Sequence, residues 1–345
     1  MTAENVVAKA KREAVVILGM HRSGTSALGG VLTRLGAQAP RTLMIPTKDN
    51  PRGYFESLEL LKVHESILRS AGSRWNDWGP VNPDWLDTPT AEQFQLRLVE
   101  TLQKEFGDAP LFLIKDPRAC LFFPLWRRAL KSAGVIPKVV FQLRHPLEVA
   151  QSLEARDQFS RTRSLLLWLR YVLEGERGSR KLPRAFVHYR DLLGNWQAAV
   201  QRVGKALGVK WPKYSGDTVF AIEEFLSSEL RHHTFQDAEV AAVQPLAGWV
   251  SEAYAALNHL ALPRATKASA QSTLDRIRAE FDASAGVYAA VVREHETRIE
   301  GLYASAKKQL AEKSEESNDL SARLQQAAKE RDTGRVAHEK QAVEL

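Results

Sequence analysis

Eight consecutive residues near the start of the chain, Gly19-Met20-His21-Arg22-Ser23-Gly24-Thr25-Ser26, combine two glycines, a guanidinium and three hydroxyls. Glycine lets a backbone curl tightly enough for successive N–H groups to point inward, and a helix starting there adds its partial positive charge. Such a cradle binds a phosphate or the isosteric sulfate. Before it lies a short apolar, β-branched run, Ala14–Leu18, and after it Leu28, Val31, Leu32 and Leu35 recur at helical spacing over Ser26–Leu35. Strand, glycine turn and helix in that order predict an anion-binding loop.

The residue at position 25 narrows the choice of anion. A loop built for nucleoside triphosphates reads Gly-x-x-x-x-Gly-Lys-Ser/Thr, with the lysine on the terminal phosphates and the hydroxyl on magnesium. Here Thr25 stands where that lysine would be, and the cation sits inside the loop as Arg22. A kinase or GTPase would lack its main phosphate-neutralising side chain. The run Phe112-Leu113-Ile114-Lys115-Asp116 imitates an acidic strand that supports magnesium, so a P-loop kinase or NTPase acting on a small molecule stays as the alternative.

A second pattern follows the apolar run Val139–Leu143: Arg144-His145-Pro146-Leu147-Glu148-Val149-Ala150-Gln151-Ser152. Pro146 suits the first turn of a helix, and two further turns carry the Ser152 hydroxyl back toward Arg144. With the loop preceding it, this pair resembles the PAPS-dependent sulfotransferases of bacteria, where PAPS is 3′-phosphoadenosine 5′-phosphosulfate. The resemblance implies that His21, Arg22, Ser23, Gly24, Thr25 and Ser26 hold the 5′-phosphosulfate and that Arg144 and Ser152 bind the 3′-phosphate. It also implies adenosine 3′,5′-bisphosphate as product and no metal. Asn50-Pro51-Arg52-Gly53-Tyr54-Phe55-Glu56, Lys115-Asp116-Pro117-Arg118 and His188-Tyr189-Arg190-Asp191-Leu192-Leu193 are similar to further family segments, so the likeness spans about residues 12–235. A counterpart of the family's C-terminal Gly-x-x-Gly-x-x-Lys stretch is missing, and Arg231 is the nearest substitute.

Sulfuryl transfer asks little covalent work of a protein. By analogy with phosphoryl transfer, positioning and stabilisation of developing charge dominate, which falls to the loop N–H groups and Arg22. An acceptor hydroxyl of high pKa also needs a general base. Glu56 is the candidate, because Asn50–Glu56 is a turn-like segment able to enter a cleft; a carboxylate at a helix N-terminus is its ordinary explanation. His64, Asp116 and Glu148 are rivals. Lys115 and Asp116 end a strand, where α/β proteins place ligand sites, and the resemblance gives one of them an active-site role. An internal ion pair that fixes the loop is the other reading.

Further strand-like runs at Leu111–Lys115, Val139–Leu143 and Ala185–Tyr189 alternate with helical patterns at Leu58–Leu68, Ala91–Phe106, Leu125–Ser132, Ser164–Leu173 and Trp196–Leu207. This predicts an α/β fold with a mainly parallel sheet flanked by helices, the P-loop NTPase-like fold that sulfotransferases share. Residues 71–90 are turn-rich and read as a surface loop or lid whose Trp75, Trp78 and Trp85 could stack on sugar faces or equally serve as packing, the commoner fate of tryptophan.

All eight tryptophans fall between Trp75 and Trp249, and no proline follows Pro263. A sulfotransferase domain over 1–264 and a helical or coiled-coil tail over 265–345 are therefore expected. Of 48 Lys/Arg and 41 Asp/Glu, the segment from Arg293 holds 10 and 11, so the excess positive charge belongs to the globular part. That suits a polyanionic ligand, while the basic residues lack the dense runs of a nucleic-acid stripe. A single cysteine, Cys120, excludes an internal disulfide. No stretch is apolar enough to span a bilayer, and a cytoplasmic protein is expected. The expected partner is a carbohydrate, glycolipid or other hydroxyl acceptor, with self-association or a further module through the tail. A catalytically inactive scaffold of the same fold is the non-enzymatic alternative.

Overall fold

In the computed structural model, four apolar runs form the strands β1 (Arg12–Leu18), β2 (Leu111–Lys115), β3 (Val135–Leu143) and β4 (Arg184–His188). The structure describes residues 11–226, 235–236, 239–240, 246–262 and 266–343. All pairings are parallel, in the order β2-β1-β3-β4. Successive side chains of a strand point to opposite faces. Ala14, Val16 and Leu18 of β1 accordingly enter one apolar cluster, and Val15 and Ile17 enter a second on the other face.

Helix α1 (Thr25–Arg34) covers the second face together with α8 (Trp196–Leu207) and α9 (Gly216–Phe225). The larger cluster takes α2 (Leu58–Ser70), α3 (Pro89–Phe106), α4 (Phe123–Ser132), α5 (Pro146–Asp157), α6 (Arg161–Ser179) and α10 (Ala247–Leu260). The short α7 (Tyr189–Gly194) follows β4 directly. An α/β fold with helices on both faces of a parallel sheet is thus what the alternating pattern predicted.

Several boundaries moved. β3 starts four residues before the expected Val139, running through Pro137. At that level β3 pairs only with β1, because pairing to β4 begins at Val139, so the missing N–H of Pro137 interrupts no ladder. Tyr189 opens α7 rather than closing β4, while α9 and α10 went unread in the sequence. In segment 71–90, Trp85 is buried beside Phe94 and Trp78 stacks on Phe281. These two rings are packing, the second of the two readings of this segment.

The long helix α11 (Lys267–Val343) contributes Leu274, Ile277 and Phe281 to the larger cluster, extending the packed part past residue 264. The chain comprises two compact units, Met1–Val287 and Tyr288–Leu345. Among the described residues no helix is long and apolar enough to cross a membrane.

Candidate active site

The turn between β1 and α1 depends on its two glycines. Gly19 has φ +145°, and a Cβ there would lie 2.6 Å from the carbonyl oxygen of Gln142. Gly24 has φ +84°, and its Cβ would fall 2.2 Å from the Tyr189 ring. Between them, Ser23 N–H donates to Met20 O at 3.1 Å, and Arg22 takes a left-handed φ of 66°. Ser57 and Thr88 cap α2 and α3, but no side chain caps α1 and no acid lies in its first turn. The uncapped N–H groups and the helix dipole are left for an anion.

Arg22 gathers the second motif around itself. Its Nε donates to Ser152 Oγ at 2.8 Å, and a terminal nitrogen of Arg144 donates to the Arg22 carbonyl at 2.9 Å. Arg144 and Ser152 thus each bond to Arg22, one at its carbonyl and the other at its guanidinium. Pro146 occupies the first turn of α5, as the spacing required. Arg144 also pairs with Glu148 at 2.8 Å and lies 4.8 Å above the Tyr189 ring.

These groups open on a cavity of about 800 Å³ at the C-terminal ends of the strands, lined by six Lys or Arg side chains and three carboxylates. An excess of cations in a partly enclosed cleft raises the local concentration of anions. His21, Arg22, Gly24, Thr25, Ser26, Arg144, Ser152, Glu56 and Lys115 all reach its wall. Ser23 and Asp116 do not. Ser23 is buried beneath the turn, and Asp116 faces the interior. Arg231 lies outside the described residues.

Asp116 forms the internal ion pair that was the other reading of this strand end. Its Oδ2 is 2.8 Å from His64 Nδ1, and its Oδ1 accepts from Arg118 N–H at 2.9 Å and from the Arg118 guanidinium at 3.0 Å. Trp126 Nε1 donates to His64 Nε2 at 3.1 Å, which fixes the proton of the ring on Nδ1, facing Asp116. Burial alone would raise the Asp116 carboxyl, but Arg118 and the His64 hydrogen bond hold it well below the usual carboxylate range. His64 is fully buried in this network, and Glu148 is committed to Arg144. Neither lines this cavity.

Glu56 does reach it. Its Oε1 accepts from Lys115 Nζ at 2.5 Å, and its Oε2 lies 3.5 Å from Arg118. Burial pushes its carboxyl above the ordinary value, with Lys115 and Arg118 opposing that rise. A carboxylate offers about four lone-pair positions, so these two bonds leave room for a hydroxyl. Lys115 Nζ also donates to Ser26 Oγ at 3.2 Å, joining Glu56 to the loop.

Three features escaped the sequence reading. Asp49 pairs with Arg22 at 3.3 Å and accepts from Tyr54 at 3.1 Å, holding the 47–54 segment over the loop, where Asn50 Nδ2 reaches Ser26 Oγ at 3.3 Å. Burial, then Arg156 and Arg144, push the Arg22 guanidinium below its ordinary value despite Asp49, a penalty an incoming anion would relieve. His21 is buried with its ring 5.0 Å from Trp75 and 5.5 Å from Tyr171. Burial and the charges of Arg118 and Arg156 hold its imidazole well below the ordinary histidine value, and Nε2 has no hydrogen-bond partner among the described residues. Most of these contacts join far-separated positions, and none leaves a trace in local periodicity.

Cys120 lies behind the loop, its sulfur accepting from Gly19 N–H at 3.3 Å. Burial pushes the thiol up to about 12. Because the thiolate is the nucleophile, native protein at pH 8 should stay unlabelled by a maleimide over hours and label fully in denaturant. Rapid labelling of folded protein would contradict this packing.

Comparison with known proteins gives no matching family model and no matching curated protein. Among solved structures, the chain is similar to the sulfotransferase domain from the Synechococcus PCC 7002 olefin synthase. The TM-score is 0.41 and the identity 17%, over 74% of this chain and 98% of that one. It is also similar to the sulfotransferase domain from the curacin biosynthetic pathway, with TM-score 0.38 and 15% identity over 77% of this chain and 98% of that one. For sulfotransferase STF1 from Mycobacterium tuberculosis H37Rv the values are 0.38 and 14%, over 72% and 77%. All three are sulfotransferase structures.

Proposed function

We propose that this protein is a sulfotransferase that moves a sulfuryl group from PAPS to an acceptor hydroxyl on a carbohydrate or glycolipid, in the cytoplasm. One contact carries the reading. In a nucleoside-triphosphate loop the hydroxyl at the position of Ser26 holds magnesium. Here the Lys115 ammonium lies 3.2 Å from that hydroxyl and repels a divalent cation. The loop keeps its anion cradle, has no lysine at Thr25, and shares its cavity with the cation–hydroxyl pair Arg144 and Ser152. A donor with a sulfated 5′-phosphate and a separate 3′-phosphate fits two such anion sites.

The α1 N–H groups, Arg22 and Lys115 would hold the sulfuryl group and the departing phosphate oxygen, stabilising charge that builds as the sulfur–oxygen bond breaks. Glu56 would take the acceptor proton. Trp75 also lines the cavity, which puts an aromatic ring of the kind that borders sugar rings near the anion sites, although Phe159 already stacks on it and Arg156 lies over it. A screen with radiolabelled PAPS across polysaccharides, glycolipids, phenols and small metabolites tests the assignment. Label transferred to a carbohydrate hydroxyl supports it, and transfer only to phenols would move the acceptor class.

Glu56 as base has a signed pH dependence. A base works deprotonated, and burial raises this carboxyl, so kcat/KM should rise with pH through a midpoint above that of an ordinary glutamate. Glu56→Gln should remove that acidic limb and slow transfer by about 10²–10⁴-fold. An unchanged profile with full activity would dismiss Glu56 from the role.

A further inference from the structure

Within the unit Tyr288–Leu345, helix α11 carries a row of large apolar side chains in water. Ile299, Tyr303, Leu310, Leu320 and Leu324 are between 51% and 73% exposed. With Ala306, Lys313, Ser317 and Ala327 they recur in alternating steps of four and three residues, the 3.5-residue period of a two-stranded coiled-coil seam. Charged neighbours are already paired along the helix itself, as Lys308–Glu312, Lys313–Glu316 and Arg323–Asp319. A single exposed helix gains nothing from such a seam, whereas a second helix of the same period buries it.

The seam also distinguishes between orientations. In a parallel, in-register pair each residue meets its own copy, so Lys313 would face Lys313 and Arg331 would face Arg331 inside the seam. Ala306 and Ala327 would then each face alanine and leave gaps. Running the second helix in the opposite direction about residue 315 removes all of these conflicts. Leu310 then meets Leu320, Tyr303 meets Ala327, Leu324 meets Ala306, and Lys313 meets Ser317. Tyr303 and Leu324 each face an alanine and Leu310 faces Leu320, which fills those layers, while Ile299 meets the stem of Arg331 at the end of the seam. The Lys313 ammonium remains free to reach the rim, where Glu316 already holds it at 2.8 Å.

We propose that residues 299–331 of α11 form an antiparallel two-stranded coiled coil with a second copy of this chain. Sedimentation equilibrium of the full chain should give a dimer at micromolar concentration, and Leu310→Glu with Leu320→Glu should weaken it at least a hundredfold. Both positions are exposed, so the circular dichroism of the globular unit should persist in that variant. Cross-linking reads the orientation, because the native Cys120 is fully buried. Under mild oxidation Leu310→Cys alone and Leu320→Cys alone should stay uncross-linked, while a mixture of the two should form a disulfide-linked dimer. A monomer at every concentration would overturn the proposal. So would efficient self-cross-linking of Leu310→Cys, the signature of a parallel pair.

Discussion

Arg22→Ala should lower sulfuryl transfer about a thousandfold, the upper range for removing one donor from a preorganised anion site. The guanidinium does three things in this structure. It stands in the cavity beside the uncapped N-terminus of α1, positions Ser152 through a 2.8 Å hydrogen bond, and holds Asp49 of the covering segment. Alanine removes all three while leaving the fold, because Arg22 is partly exposed and outside both apolar clusters. The left-handed backbone at Arg22 adds a complication, since any L-residue is strained there at a cost of about 1–2 kcal/mol. Arg22→Gly relieves that strain and should be equally inactive, which separates the role of the guanidinium from that of the loop geometry. Arg22→Lys should recover only part of the rate, because an ammonium lacks the planar fork. Sulfate release from labelled donor, with circular dichroism as the fold control, measures all three. Near-normal turnover of Arg22→Ala would refute the account of the loop.

Gly24→Ala should abolish measurable binding of adenosine 3′,5′-bisphosphate. Its φ of +84° disfavours any Cβ, and the new methyl would collide with the Tyr189 ring at 2.2 Å. Strained backbone costs about 1–2 kcal/mol, and overpacking about 1–3 kcal/mol more. The ring cannot move aside cheaply, being buried and faced by Arg144. The loop must therefore open, and the cradle is lost. A double variant with Tyr189→Ala makes room for the methyl and should recover part of the affinity, leaving only the backbone cost. Equal loss in the single and double variants would place the defect elsewhere. Calorimetric titration of both proteins gives the answer directly.

What was legible in the sequence is what depends on neighbours along the chain. The run Ala14–Leu18, the glycines and the helical spacing after Ser26 identify the loop, because each residue acts within a few positions of the next. Arg144, Pro146 and Ser152 were legible for the same reason, since one proline-started helix sets their separation. The strand order β2-β1-β3-β4 and the network from Glu56 through Lys115 and Asp116 to His64 were not. Their partners lie 52 and 59 residues apart, and only the parallel sheet brings them together. Asp116 illustrates the difference. Its place at a strand end left it either a reactant or half of an internal ion pair, and the partners that separate those readings are Arg118, two residues on, and His64, which arrives from α2. Asp49 was missed because nothing local marks an aspartate that will reach Arg22 across a turn.

The most direct test is calorimetric titration of the protein with adenosine 3′,5′-bisphosphate and with ATP, each with magnesium and with a chelator. The account predicts that the bisphosphate binds without magnesium, that Arg144→Ala weakens it strongly, and that ATP binds poorly in either condition. Tight, magnesium-dependent ATP binding with no uptake of the bisphosphate would contradict it.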